Sequence, residues 1–239
     1  DETVIVTTQR DENSILTTYE TPLGSVRTKD VLAPRLKEMG VESPLRKEFM
    51  IREKSHYAIV GHILQHTTYV PNYDSYMEYD SKIGEGGVTL SFVSRSPLQR
   101  LLIEIMGYER TYFEMQDNPR EVDQLLELLN AKGNELMDIA AQSPAPLIWS
   151  PDNFHAVITS PKLFRQYCVP YFQRFSEKMR QTGKFLFTHA DGEILGLLEP
   201  FVQSGVDVIE AFAPSPMTRC TVAEARRVCG KKVKLWGGI

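Results

Sequence analysis

From residue 84 onward, short apolar runs alternate with longer segments of helical periodicity. The apolar runs occupy residues 88–93, 146–149, 185–188, 206–209 and 233–236. The longest segment of helical spacing extends from Asp117 to about Gln142. Strands that are apolar along their whole length and alternate with helices are typical of a parallel sheet covered by helices. The pattern therefore predicts an α/β fold, either a doubly wound sheet or an eight-stranded barrel.

The first 80 residues follow a different pattern. Two segments rich in β-branched residues, Thr3–Thr8 and Ile15–Tyr19, flank a polar turn and predict a β-hairpin. Asp30 and Ser55 are candidate caps of two helices, the first ending near Met39. We therefore expect a single domain over residues 1–239, with an accessory hairpin and helices in 1–80 and the β/α units in 84–239.

Composition narrows the function classes. The chain has 239 residues, a net charge of −4 and no run of lysines or arginines, which argues against nucleic-acid and anionic-membrane partners. No apolar stretch reaches the roughly 18 residues that a membrane span requires. Cys168, Cys220 and Cys229 form no C-x-x-C pair and no disulfide framework. Such sparse cysteine use is typical of a reducing compartment, so we expect a cytoplasmic protein.

Polar side chains follow three of the predicted strands. Asp152 and Asn153 come after the second strand, His189 and Asp191 after the third, and Glu210 after the fourth. In a barrel, the carboxyl ends of the strands form one face, so we expect these side chains to lie close together. His189 and Asp191 are alternate residues and share a side of an extended backbone. They could therefore converge on one metal ion or one substrate group.

Simpler roles remain open for the same residues. His189 could hydrogen-bond a neighbouring loop, and Asp191 could cap a helix that begins after Gly192. Trp149 and Phe212 stand beside the strand ends, where large aromatic residues are expected to form the pocket wall or the core.

Several segments together resemble the uroporphyrinogen decarboxylase superfamily. They are Asp117-Asn118-Pro119, Thr159–Phe164, Phe187–Gly192, Gly205–Glu210 and Val233–Ile239. The resemblance implies a TIM-type barrel of eight β/α units that is incomplete in this chain, which would begin after the first barrel strand and end before the last. The chain also starts at Asp1 without methionine. We therefore expect it to be a piece of a longer polypeptide.

The superfamily combines two chemistries. One branch decarboxylates the acetate side chains of uroporphyrinogen without a cofactor and places a tyrosine near the position of Ile103. The other contains zinc-dependent methyltransferases, which move methyl groups between corrinoid proteins and small substrates. Thiol-methylating members use His-x-Cys at the end of the central strand and a late cysteine, which would lie beyond Ile239. This chain has Asp191 in place of the first cysteine, and oxygen donors also bind zinc.

The resemblance therefore implies a metal-dependent methyltransferase. Zinc would be held by His189, Asp191 and Glu210, and these three would be the catalytic residues. Glu210 could alternatively serve as a general acid. A corrinoid on a partner protein would complete the methyl exchange.

The same resemblance suggests how a substrate is held. Asp152 and Asn153 would orient it by hydrogen bonds, and Trp149 and Phe212 would line its pocket. The implied partners are a small-molecule methyl donor or a tetrapyrrole, and relatives often form homodimers. Two alternatives stay open: a cofactor-free decarboxylase acting on a tetrapyrrole or another polycarboxylate, and a corrinoid- or tetrapyrrole-binding protein without turnover.

Overall fold

A computed structural model describes residues 3–40 and 44–237 of the chain. Gly238 and Ile239, the end of the last segment that resembles the superfamily, lie outside the described residues. The chain divides into two compact units, Asp1–Thr68 with Arg100–Leu129, and Tyr69–Gln99 with Asn130–Ile239. In this division residues 100–129 group with the N-terminal segment, and the single domain over residues 1–239 stays a prediction.

The described residues form two sheets and a set of helices. The strands are β1 (Ile5–Arg10), β2 (Ser14–Thr21), β3 (Gly24–Val31), β4 (Leu45–Glu48), β5 (Ser91–Phe92), β6 (Leu147–Ser150), β7 (Phe185–His189), β8 (Val208–Phe212) and β9 (Lys234–Gly237). The α-helices are α1 (Pro34–Glu38), α2 (His56–Gln65), α3 (Tyr73–Ile83), α4 (Pro97–Arg100), α5 (Tyr108–Asp117), α6 (Pro119–Gln142), α7 (Pro161–Leu163), α8 (Val169–Gln181), α9 (Leu198–Ser204) and α10 (Val222–Cys229). In the described part of the chain, no helix has the length and apolar character needed to cross a membrane.

The first unit contains an antiparallel sheet in the order β1-β2-β3-β4. It confirms the predicted hairpin and extends it by two strands. The prediction that a helix starts at Asp30 is wrong, because β3 continues to Val31 and α1 begins only at Pro34. The Asp30 carboxylate instead pairs with Arg46 of β4, with both oxygens 2.8 Å from guanidinium nitrogens. A bidentate ion pair across two strands therefore takes the place of the predicted cap.

The second unit contains a parallel sheet in the order β5-β6-β7-β8-β9. This sheet confirms the predicted α/β class and the five predicted strands, although the first is shortened to Ser91–Phe92. Closure into an eight-stranded barrel stays a prediction. Strand neighbours run in sequence order, so the carboxyl ends of β5 to β9 lie along one edge of the sheet.

An aromatic cluster anchors the loop that follows β6. Phe154 is fully buried and packs edge-to-face against Phe164 and Phe201, with ring centroids 4.8 and 5.5 Å apart. Ser160 caps α7 by accepting a hydrogen bond from Leu163 N, as the Ser-Pro pair predicts. The loop that carries Asp152 and Asn153 is therefore fixed at its far end by core packing.

Candidate functional site

His189 and Glu210 form the centre of the candidate site. They are paired residues of the neighbouring parallel strands β7 and β8, so their side chains point to the same face of the sheet. The Nδ1 atom of His189 lies 2.7 Å from Glu210 Oε2. Both side chains are about a quarter exposed, at 26% and 27%. This short, partly desolvated contact fixes the orientation of the imidazole ring.

Asp191 lies on the other side of that ring. Its Oδ2 atom is 3.7 Å from His189 Nε2, and its side chain is 56% exposed. The backbone N–H of Ala190 donates to the carbonyl of Glu210 at 2.9 Å, which holds the start of this loop against β8. The structure therefore brings together the alternate residues His189 and Asp191, and a carboxylate faces each ring nitrogen.

Trp149 lies against the histidine. Its indole ring meets His189 edge-on, with ring centroids 6.2 Å apart and an interplanar angle of 77°. The indole Nε1 is buried and has no hydrogen-bond partner among the described residues. Trp149 thus lies beside His189 with an unpartnered donor, and its role in the wall of a pocket stays a prediction.

Asp152 is fully buried, and its carboxylate bonds to protein groups. Its Oδ1 accepts hydrogen bonds from Ser96 N at 2.8 Å and Ser96 Oγ at 2.6 Å, and its Oδ2 accepts from Ser150 Oγ at 2.6 Å. Thr188 Oγ1 lies 3.5 Å from the same oxygen. Burial raises the pKa of this carboxyl, against the effect of the Ser150 and Ser96 hydrogen bonds. Through these contacts Asp152 connects the ends of three strands, and a contact of Asp152 with a substrate stays a prediction.

The two other residues predicted to contact a substrate, Asn153 and Phe212, differ in burial. Asn153 is exposed, whereas Phe212 is buried in the core. Phe212 follows a register shift in β8 at which Ala211 adopts a φ of 59°. Opposite this bulge, Gly237 has a φ of +136°, and a Cβ there would lie 2.6 Å from the Phe212 carbonyl oxygen. The bulge thus requires glycine and turns Phe212 into the core.

The three predicted metal ligands do not all lie on one side of the imidazole ring. His189 Nε2 and Asp191 lie on one side of the ring, but Glu210 bonds to the opposite nitrogen. A carboxylate in that place orients a metal-binding histidine and raises its basicity without touching the ion. Among the described residues, no group of three or more His, Cys, Asp or Glu side chains is arranged to hold a metal ion.

The cysteines are far from thiolate character. All three are buried, and burial raises the pKa of Cys168 well above its ordinary value and that of Cys220 to about 11. A thiol in such surroundings packs as a small apolar side chain.

Glu193 is a structural contributor to which the sequence assigned no role. Its Oε1 accepts from Leu195 N at 2.9 Å, so Glu193, not Asp191, caps the turn that begins after the loop. Its Oε2 accepts from Arg219 N at 2.7 Å and Arg219 Nε at 3.2 Å. Burial raises the pKa of Glu193, but these hydrogen bonds and the Arg219 charge outweigh it and hold the pKa below its usual range.

The contact of Ser96 with Asp152 could not be read from the Ser-Pro pair, which predicts a helix cap. The N–H and Oγ of Ser96 instead donate to Asp152. The spacing of Ser150 and Asp152, two residues apart at a strand end, was the available signal for this cluster.

Comparison with known proteins identifies a similar structure and a matching family. No curated protein matches its sequence. A solved structure similar to it is a methyltransferase from Methanosarcina mazei, with a TM-score of 0.59 and 12% sequence identity. The similarity covers 83% of this chain and 57% of that one, so the chain spans little more than half of that relative. The family described as Uroporphyrinogen decarboxylase (URO-D) matches residues 79–239, which include both β7 and β8. The chain therefore belongs to the uroporphyrinogen decarboxylase family.

Proposed function

We propose that the chain is a metal-dependent methyltransferase that transfers a methyl group to or from a corrinoid protein. The observation that carries the proposal is the environment of His189, with Glu210 Oε2 at 2.7 Å from Nδ1 and Asp191 Oδ2 at 3.7 Å from Nε2. Proteins orient metal-binding histidines in this way, with a carboxylate on the ring nitrogen that does not bind the ion.

The contact with Glu210 determines which nitrogen is available. When Nδ1–H donates to the Glu210 carboxylate, Nε2 carries the lone pair and faces the side of Asp191. Zinc binds nitrogen and oxygen ligands at about 2.0–2.2 Å, so two ligands of a tetrahedral ion are about 3.3–3.6 Å apart. The 3.7 Å between Nε2 and Oδ2 is close to that separation. His189 and Asp191 therefore fit a shared ion as two of its ligands.

A zinc ion held there would act as a Lewis acid on the heteroatom that carries the methyl group. The residues of this chain supply orientation and shielding. Glu210 fixes the imidazole, and the Trp149 ring covers one side of it edge-on. Asp191 is the most exposed of the group and leaves an open side from which a substrate can approach.

Charge around His189 supports methyl transfer over decarboxylation. The two side chains that face its ring nitrogens, Asp191 and Glu210, are both carboxylates. A substrate with many carboxylates, such as uroporphyrinogen, would meet like charge there. Decarboxylation is the second candidate because the matching family is described by that activity. Incubation with uroporphyrinogen tests it, and a product with fewer carboxylates would favour it over methyl transfer.

Calorimetric titration with Zn²⁺ tests the first proposal directly. We expect about one zinc ion per chain, loss of binding in His189→Ala, and unchanged binding in His56→Ala, a histidine of the first unit. Transfer of a methyl group between methylcobalamin and candidate thiols or amines can then be followed by the absorbance of the corrinoid. Full activity after removal of metal by chelators would refute metal dependence.

A further inference from the structure

Three loops of the second unit meet at Glu193. Its backbone carbonyl accepts a hydrogen bond from Ala156 N at 2.6 Å, in the loop after β6. Its carboxylate accepts from Leu195 N in its own loop after β7, and from Arg219 N and Nε in the loop after β8. The Glu193 side chain is only 10% exposed. We call the contacts of Glu193 with the backbone N–H groups of Ala156, Leu195 and Arg219 the Glu193 latch.

The loop that carries Asp191 is also tightly packed at its centre. A Cβ added to Gly192 would lie 2.8 Å from the Cδ2 atom of His155 and 3.1 Å from the carbonyl oxygen of Phe154. The backbone of this loop therefore lies directly on the loop after β6. Asp191, adjacent to Gly192, is left with little freedom of backbone position, although its own side chain is more than half exposed.

We propose that Glu193 is a positioning residue, which sets the place of Asp191 beside His189 through the Glu193 latch. The inference rests on the proposed function, because the pairing of Asp191 with His189 matters most if the two share an ion. The latch also connects that pair to the loop after β8. Movement of that loop would therefore change the position of Asp191 relative to His189.

Glu193→Gln is the sharpest perturbation of the latch. An amide has one acceptor oxygen, so it can satisfy the N–H of Leu195 or that of Arg219, but it turns an N–H₂ group toward the other. Arg219→Ala is the matched control, because it removes only the 3.2 Å contact of Nε and keeps the 2.7 Å contact of the backbone N–H. The Arg219 side chain is also 79% exposed, so its loss should leave the packing intact.

Two measurements on the whole chain test the proposal. Hydrogen exchange should accelerate in residues 190–197 and 213–221 of Glu193→Gln and stay unchanged in Arg219→Ala. Titration with Co²⁺, followed by its visible absorption bands, should show affinity reduced about tenfold or more in Glu193→Gln, with altered bands. In Arg219→Ala the affinity should stay within about twofold of the wild type, because the backbone N–H of residue 219 still bonds to Glu193.

A double variant distinguishes positioning from a general structural role. If Glu193 acts through Asp191, adding Glu193→Gln to Asp191→Asn should weaken Co²⁺ binding no further. An independent loss in the double variant would overturn the proposal, as would wild-type Co²⁺ affinity in Glu193→Gln. If the wild type binds no Co²⁺, the metal-dependent function fails, and the exchange data alone decide the latch: unchanged exchange in both loops would then overturn it.

Discussion

Replacing Asp152 should destabilise the second unit more than any loss of a single surface charge. In Asp152→Ala, the three donors within 2.8 Å of the carboxylate lose their acceptor: the N–H and hydroxyl of Ser96 and the hydroxyl of Ser150. A buried donor without a partner costs about 1–3 kcal/mol. The two hydroxyl groups can rotate toward other acceptors, and Ser150 Oγ already lies 3.5 Å from the Ser94 carbonyl, but the N–H of Ser96 cannot. The unpaired N–H accounts for about 1–3 kcal/mol and each weakened hydroxyl bond for about 1 kcal/mol, so we expect a total loss of about 3–5 kcal/mol, a large share of the 5–15 kcal/mol typical of whole proteins.

Asp152→Asn separates hydrogen bonding from charge. Its amide oxygen can still accept from Ser96, and the Ser150 hydroxyl can reverse its role and accept from the new N–H₂ group. The variant also removes the cost of burying a carboxylate. We expect it to lose only about 1–2 kcal/mol, clearly less than Asp152→Ala.

Urea unfolding followed by tryptophan fluorescence measures these differences in the unit concerned. The chain contains two tryptophans, Trp149 and Trp236, and both belong to the second unit. Asp74→Ala is the control, since Asp74 is an exposed acid in the first turn of α3 and should contribute less than about 1 kcal/mol. The reasoning would be refuted if Asp152→Ala unfolded within about 1 kcal/mol of the wild type, or if Asp152→Asn were equally damaging.

Three other changes have expected outcomes. Because burial raises the pKa of Asp152 above 3.8, the folded state binds its proton more strongly than the unfolded state, so this group lowers stability as pH rises from 3.8 through the folded pKa. The stability of wild type relative to Asp152→Asn should fall over that window in urea titrations, and a constant difference would contradict the raised pKa. Glu210→Gln should weaken Zn²⁺ binding by about 10–100-fold in calorimetry, with Glu199→Gln on α9 as an unaffected control. Gly237→Ala should cost about 2 kcal/mol or more, from a φ of +136° and the approach to the Phe212 carbonyl, and wild-type unfolding would argue against a rigid bulge.

The convergence of His189, Asp191 and Glu210 could be predicted because it follows from two general rules. Carboxyl ends of parallel strands lie along one edge, and alternate residues share a side of the backbone. The role of Glu210 could not be predicted in the same way. Spacing places a carboxylate near a histidine but does not specify which ring nitrogen it meets, and that choice separates a ligand from an orienting group.

The N-terminal sheet was only half predictable for a related reason. The first two strands have few charges and many β-branched residues, whereas β3 contains Arg27, Lys29 and Asp30. Charged residues in a strand are stabilised by cross-strand partners, here Arg46 of β4 for Asp30. Such a partner is distant in sequence, so local propensity favoured a helix cap.

The alternation of buried and partly exposed positions along β6 and β7 distinguishes buried from accessible polar residues at the strand ends. Along β6, Ile148 and Ser150 are buried and Trp149 between them is partly exposed, and along β7 Thr188 is buried beside the partly exposed His189. Asp152 bonds to Ser150, two residues before it, and so belongs to the buried side, whereas Asp191 continues the side of His189. A strand-end carboxylate that continues a buried hydroxyl position is thus a structural acid. One that continues a partly exposed histidine stays accessible, and this difference in parity separates the buried acid Asp152 from Asp191, which we propose as a metal ligand.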